Sequence, residues 1–386
     1  MVAEIAKITV FFESFRELIN GSKEAADIVA LRKDAFRQFE AEGFPTQRNE
    51  DWKYTNIAPI GNEEWSVSNT GAGFSSAADP KLVQSLGRFN FERNGFTALN
   101  LAFAEFSVIR IPKETSVEKP FEIQISGEDG AASFPHVVVI AEAGSKATLI
   151  EKYSSTVKSL TNSAVQIFVE DNANLTHYRV QKDSADAFHY GVTGVSVGRG
   201  SVYNSTNINI GGALSRHDVD LKFTAEGGEA WVDGLYMLNG SQHHDTHSII
   251  DHTVPNCVSH QNYKGVMNDR SRAVFNGKVF VRENAHGTDA QQQNKNLLLS
   301  NDARVDTKPQ LEIFNDDVKC SHGATVGQLE DEELFYLLTR GLPENLAKNL
   351  LTYGFAEEVI GKIDIGSIRS ELDQAVLNRL DVKLEV

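Results

Sequence analysis

Between about residues 96 and 326 the chain repeats itself at an interval that few folds tolerate. Turn-forming residues stand at Gly144, Asn172, Gly200 and Gly228, 28 residues apart each time. Each leads into a small or polar and then apolar segment: Ser145-Lys-Ala-Thr-Leu149, Ala173-Asn-Leu-Thr176, Ser201-Val-Tyr203 and Glu229-Ala-Trp-Val232. Between the turns lie short runs such as His136-Val-Val-Val-Ile140, Ala164-Val-Gln-Ile-Phe-Val169 and Val192-Thr-Gly-Val-Ser-Val197, with little helical periodicity. A strand-built unit of this size cannot bury its own apolar face, so successive units must stack. The pattern predicts a mainly β protein with a parallel β-helix core. A large β-sandwich would require the turn spacing to be coincidence. The repeat blurs after Gly228.

Both flanks differ in texture. Residues 1–43 read as helical, with Ser22 as N-cap of the stretch Lys23–Glu42 and Gly43 as its left-handed terminator. Phe44–Tyr54 reads as an ordered loop whose Pro45, Trp52 and Tyr54 clasp the body. Residues 66–80, rich in Gly, Ser and Ala, read as a flexible connector. The expected division is therefore 1–65, a connector 66–95, the β core 96–326 and a helical domain 327–386. In that last region Glu330–Arg340 carries Leu334, Leu337 and Leu338 on one side. Gly341 can cap it, Pro343 suits the first turn of the next helix, and Leu346, Leu350 and Leu351 extend the apolar stripe. Gly354 is expected to close that helix, and further helix is expected across Ile368–Leu380. The stripe either docks on the β body or receives a partner.

Charge removes several function classes. Lys and Arg number 37 against 53 Asp and Glu, a net charge of −16 that repels phosphate backbones and anionic lipid. Glu4, Lys7 and Glu13 break any signal-peptide core, and no apolar run approaches a bilayer span. Two cysteines do not make a disulfide framework, and a reducing cytoplasm fits them best. The same count limits metal chemistry. An iron–sulfur cluster usually takes four protein ligands, mostly thiolates. Any cluster here would need histidine, carboxylate or another polypeptide's residues.

The most informative tract is Asp306–Gly327, which places Cys320 two residues before His322. On a strand, residues i and i+2 share a face, so sulfur and imidazole would stand side by side. Both suit iron, zinc or a sulfur intermediate. The alternative is a small buried cysteine beside a hydrogen-bonded core histidine. Six of the 11 histidines (His243, His244, His247, His252, His260 and His286) fall within 44 positions. His243, Asp245 and His247 would share a strand face, either as metal ligands with an orienting carboxylate or as a polar ladder. Cys257 follows Pro255-Asn256 in a turn and, taken alone, reads as structural. Gly194-Val-Ser196-Val-Gly198 matches a nucleophile elbow in letters only, because another strand follows instead of a helix. No phosphate loop, H-E-x-x-H or dinucleotide fingerprint occurs, so nucleotide energy would have to come from a separate subunit.

The run from about Asp251 to Gly354 resembles the SufD family, one half of the SufB–SufD scaffold for iron–sulfur cluster assembly. The matching words are Asp251-His-Thr-Val-Pro-Asn-Cys257, Asn262-Tyr-Lys-Gly265, Phe275-Asn-Gly-Lys278, Asn294-Lys-Asn-Leu-Leu-Leu-Ser300 and Asp306-Thr-Lys-Pro-Gln-Leu-Glu312. They continue through Cys320-Ser-His-Gly-Ala-Thr325, Leu334-Phe-Tyr-Leu337 and Arg340-Gly-Leu-Pro343, and Phe44–Tyr54 resembles the family's entry segment. Gly323 favours SufD over the paralogue SufB, which usually has Glu there. The resemblance implies a right-handed β-helix and a cytoplasmic, non-enzymatic subunit paired with a SufB-like chain. It further implies a SufC-like ABC-type ATPase received by the C-terminal helices, at Leu334, Leu337, Leu338, Leu346 and Leu350. His322 is the first candidate ligand of a nascent, shared iron–sulfur cluster and Cys320 the second, with Cys257, His243 and His247 behind them. Flavin binding and a homodimer of the isolated chain are left open. The rival readings are SufB itself and a β-helix enzyme acting on polysaccharide. Burial of Cys320 and His322 away from any approachable surface would defeat the shared-site reading.

Overall fold

The turn residues are the corners of a coil. In the computed structural model, which describes residues 2–68 and 80–379, Glu114, Gly144, Asn172, Gly200, Gly227, Asn256 and Gly287 all have φ between 55° and 75°. Only glycine, and less readily Asn, takes that left-handed geometry cheaply. Each of these residues donates its N–H one coil onward, and for all but Gly287 the acceptor is the carbonyl immediately before the next corner: Glu114 to Ala143 and Gly144 to Asp171 (both 2.9 Å), Asn172 to Arg199 (2.8 Å), Gly200 to Glu226 (3.1 Å), Gly227 to Pro255 (3.3 Å), Asn256 to His286 and Gly287 to Asp317 (both 2.8 Å). The corner expected at Gly228 sits one residue earlier, at Gly227. One residue is missing from that coil, since Val202 pairs with Glu229 rather than with residue 230.

Strands alternate between a ten-stranded and an eight-stranded sheet, and neighbours in both are parallel. The fold is thus the expected parallel β-solenoid, of about eight turns. Coil length drifts without loss of register. Lys146 pairs with Asn174, 28 residues on, whereas Phe188 pairs with Leu214 after 26 and Arg272 with Arg304 after 32. The corners absorb the difference, which is why the sequence period fades.

One apolar cluster fills the interior, running from Ile109 and Leu149 through Leu221 and Tyr236 to Phe275 and Val281. Polar side chains share that space. Tyr153 donates to Glu151 (2.7 Å), Glu151 meets His177 (2.7 Å), and His177 meets Tyr203 (2.8 Å). Nearer the C-terminal end, Asn294 and Asn296 bond to the Tyr236 hydroxyl (3.1 and 2.6 Å). Large inward rings need missing neighbours. A Cβ at Gly265 would overlap the Tyr236 ring, and one at Gly277 would overlap the amide of Gln292.

Helices cover both outer faces. Val2–Gly21, Ala26–Glu42 and Gly95–Phe103 build an aromatic cluster against the ten-stranded sheet, with Phe15 stacked on Phe36 (4.0 Å between centroids). Ser22 does not cap a helix. The second helix begins at Ala26 behind Ala25, and Ser22 instead accepts from Glu24 N in the intervening turn (3.2 Å). Gly43 has the expected positive φ (64°), but its ψ of −162° lies outside the left-handed helical well. Of the expected connector, residues 69–79 lie outside the described residues. Around them, Ser66–Ser68 pairs with Ala131–Ser133, and Pro80–Leu86 is helical. Asn94 caps Gly95–Phe103 with a full capping box, placing a helix where β texture was expected to begin.

On the other side, Glu344–Ile360 and Gly366–Arg379 pack Ala356, Val359, Ile360, Ile368 and Leu372 onto Tyr178, Ile208, Leu235 and Val266 of the eight-stranded sheet. Gly354 does not end its helix, because the residues after it make this contact and hold the helix to Ile360. Lys264, 2% exposed, donates to Phe355 O (3.1 Å) and pairs with Glu358, tying helix to coil. Among the described residues no helix is long and apolar enough to cross a membrane.

Close approach at Gly265 gives a quantitative test. Gly265→Ala should cost about 1–3 kcal/mol by overpacking against Tyr236. Gly194→Ala, with nothing within 4 Å of the added carbon, should stay within about 0.5 kcal/mol of wild type. Denaturant midpoints of the two variants measure the contrast.

Candidate functional site at the open end of the solenoid

Among the described residues no further coil stacks on the final one. Its strands Arg304–Ile313 and Val318–Gly327 are the last members of the two sheets, and each is paired on one side only. They are ten residues long, whereas Glu105–Ile111 and Phe121–Ser126 at the other end have seven and six. Long open edges present unpaired backbone groups as a template for another chain. Ile313, Phe314 and Val326 are 42, 55 and 49% exposed there, so apolar side chains accompany the open edge.

Cys320 and His322 stand on this strand, as the alternation predicted. Cys320 is in register with Ala290 and His322 with Gln292, which are 0 and 1% exposed and face the interior of the coil beneath. Both candidate side chains therefore belong to the inward face, at the mouth. Cys320 is half-buried against the interior apolar cluster, and His322 is exposed. Burial pushes the Cys320 thiol up, with Asp289 adding to the effect and a hydrogen bond from the Ala290 backbone opposing it. The two are neither sealed nor remote from a surface that a second polypeptide can reach.

The other candidates lie elsewhere. Cys257 is fully buried in the interior cluster, its Sγ 3.4 Å from Pro255 O and 3.6 Å from Ala225 O. Burial raises its thiol too. It is a core thiol, as its turn position suggested. Strand alternation splits the histidine cluster between two faces. His244 and His252 point inward, bonded to Ser215 (2.7 Å) and Ser259 (2.8 Å), and burial lowers His244 to about 3. His260 stacks on Trp231 outside (4.3 Å).

His243, Asp245 and His247 do share the outer face, where they serve the entry loop. Thr55 Oγ1 donates to Asp245 Oδ2 (2.6 Å) and lies 2.9 Å from His243 Nε2, while His247 Nε2 lies 3.1 Å from Asp245 Oδ1. Arg216 bonds Asp245 (2.9 Å), Asp218 (2.8 Å) and the Asp51 carbonyl (2.6 Å), with its guanidinium 3.8 Å from the Trp52 ring. Burial acts to raise the Asp245 carboxyl, but His247 and Arg216 outweigh it and hold the group well below the usual range. Thus Phe44–Tyr54 is the expected clasp, with a cation beneath its tryptophan. A cavity of about 510 Å³ adjoins it, lined by Asp51, Tyr54, His247, Asp306 and Lys308 among others. Charges near its walls already pair, as in Arg272–Asp306 (2.6 Å).

Among the described residues, no group of three or more His, Cys, Asp or Glu side chains could hold a metal ion. Cys320 and His322 are two such side chains on one strand face, without a third in a group with them among the described residues.

A second exposed feature lies on the C-terminal helices. Leu338, Leu346 and Leu350 of the expected stripe are 37, 38 and 51% exposed, while Leu334 and Leu337 are half-buried. Phe335 and Tyr336, not singled out by the stripe, are the most open at 67 and 58%. Their place inside Leu334-Phe-Tyr-Leu337 was the available signal. This apolar face sits on Asp331–Thr339 and the first half of Glu344–Ile360, beyond the part of that helix packed on the sheet.

The chain is similar to known proteins over most of its length. The family model described as "SUF system FeS cluster assembly, SufBD core domain" matches residues 123–355, and that of the SufBD protein N-terminal region matches 3–79. An iron–sulfur cluster assembly SufBD family protein of Synechocystis sp. is 35% identical, over 77% of this chain and 68% of its own. The iron–sulfur cluster assembly protein SufD of Escherichia coli is 31% identical over 90% of this chain and 91% of its own. SufD of Bacillus subtilis is 29% identical over 73% and 66%. With the core model spanning more than half of its length, the chain belongs to the SufBD family of iron–sulfur cluster assembly proteins, in its SufD branch.

Proposed function

We propose that this chain is the non-catalytic, SufD-type subunit of an assembly complex with a SufB-type chain and a SufC-type ATPase. The observation that carries the reading is the open terminal coil, with a half-buried thiol and an exposed imidazole at its mouth. Two donors on an unpaired edge suit a site completed across an interface. A SufB-type partner stacks its own strands on this end and supplies the remaining ligands, and the nascent iron–sulfur cluster is cargo held between them. Imidazole and thiolate are ligands for iron in both simple and clustered form. The ATPase docks on Phe335, Tyr336, Leu338, Leu346 and Leu350, an apolar face that the chain leaves uncovered. Hydrolysis belongs to that partner, consistent with the lack of a phosphate-binding loop here. The complex works in the cytoplasm. A SufB identity would instead require this chain alone to take up sulfide and build a cluster, and two free thiols, one of them a core residue, argue against it. The polysaccharide-active reading has no support from the relatives.

Three outcomes are expected. In the co-expressed complex, His322→Ala should leave the subunits associated while cluster content, read from visible absorbance and iron and sulfide analysis, falls to near that of a complex lacking this chain. An unchanged cluster content would remove His322 from the site. Iodoacetamide should alkylate Cys320 in the isolated native chain, faster at alkaline pH because its raised thiol must first ionise, and should spare it in the complex. Cys257 should stay unmodified in both, as followed by peptide mass spectrometry. Leu350→Glu should weaken ATPase binding by about tenfold or more without altering the thermal transition of the isolated chain.

A further inference from the structure

The coil beneath the mouth prepares Cys320 and His322 differently. Cys320 lies over Ala290, a small apolar floor that lets the thiol sink against the interior cluster. His322 lies over Gln292, one strand spacing away at about 4.8 Å, on the same inward face. Gln292 is 1% exposed and its amide is anchored downward, Nε2 donating to Gln261 Oε1 in the preceding coil (2.6 Å). Gly277 makes room for that amide, since any Cβ there would overlap it. With the nitrogen committed to the coil below, Gln292 Oε1 is the free end, and it has no hydrogen-bond partner among the described residues. A buried carbonyl left unmatched is costly, and a donor on the residue stacked above it would answer it.

The geometry points to Gln292 as the positioning residue for His322. The imidazole turns inward and donates one ring N–H to Gln292 Oε1. That fixes a single tautomer and ring orientation, and it leaves the other ring nitrogen's lone pair facing out of the mouth. This arrangement suits a histidine that binds iron, because an acceptor at one ring nitrogen fixes which nitrogen is free to ligate. Gln261 locks Gln292 from below, so the ring is held by a chain of two amides reaching into the preceding coils. The inference deepens the shared-cluster reading, and its importance for assembly rests on that reading. The tautomer itself does not.

The test is nitrogen NMR of the full chain labelled only at histidine, at alkaline pH, with the His322 signals assigned by their loss in His322→Ala. In wild type the two ring nitrogens should be widely separated, as in one neutral tautomer. Gln292→Met keeps the volume, removes the acceptor, and should draw the two shifts together as the tautomers average. Gln292→Glu keeps an acceptor and should preserve the separation, because Gln261 Nε2, itself without a partner among the described residues, can turn to donate to it. Identical His322 spectra in wild type and Gln292→Met would overturn the inference. So would a wild-type His322 that already populates both tautomers, a result that needs no variant to fold. A fixed tautomer with cluster yield unaffected by His322→Ala would instead sink the cluster reading and leave this one standing.

Discussion

Backbone hydrogen bonding between coils governs this molecule. Each strand between the first and the last coil pairs with the coil on either side, and the corner residues extend that pairing around the bend. Such a stack has no internal reason to stop, so what happens at its ends must be decided by other means. The first coil is built from short strands. The last is full length, with the corner ladder ending at Asp317. A stack that ends in short strands on one side and in full-length strands on the other presents its longer open edge at the second, and that is where Cys320 and His322 stand.

The two coverings of the solenoid are held by different physics. The N-terminal cover is a hydrophobic and aromatic weld, stapled by Arg216 between Asp218, Asp245 and the Trp52 ring. Buried ions of this kind add little net stability relative to apolar packing but punish misplacement strongly. The C-terminal cover uses a smaller apolar patch with salt bridges around it, including Lys362–Asp233 (2.9 Å) and Lys264–Glu358. The first cover reaches the last coil through Lys308 and Glu50 (3.7 Å), and the second carries its own exposed apolar face outward.

Much of this was legible in the residues. Corners at Gly144, Asn172 and Gly200 could be read because a left-handed bend admits few residue types. The alternation that puts Cys320 beside His322 needs only the strand period of two. The family words Asn262–Gly265 and Phe275–Lys278 turn out to contain the glycines that make space for Tyr236 and Gln292. Other features were hidden for physical reasons. Coil length varies at the corners, so a constant step of 28 points to Gly228 where the shorter coil bends at Gly227. Gly354 reads locally as a stop because propensity cannot see the sheet that holds the helix beyond it. The histidine cluster looked convergent in one dimension and is divided by the strand's two faces in three. The identity of the residue beneath His322 depends on an offset of 30, from Gln292 to His322, that no local pattern announces.

The drifting coil length has a consequence for how such a body can change over time. Insertions and deletions at a bend leave strand pairing intact, because the ladder needs only one left-handed residue per level and is indifferent to how many others accompany it. The rim along these bends is therefore open to variation in size and chemistry while the stacked strands stay in step. A lineage can remodel its flank, or an engineer can graft a peptide there, and the geometry at the mouth will not feel it.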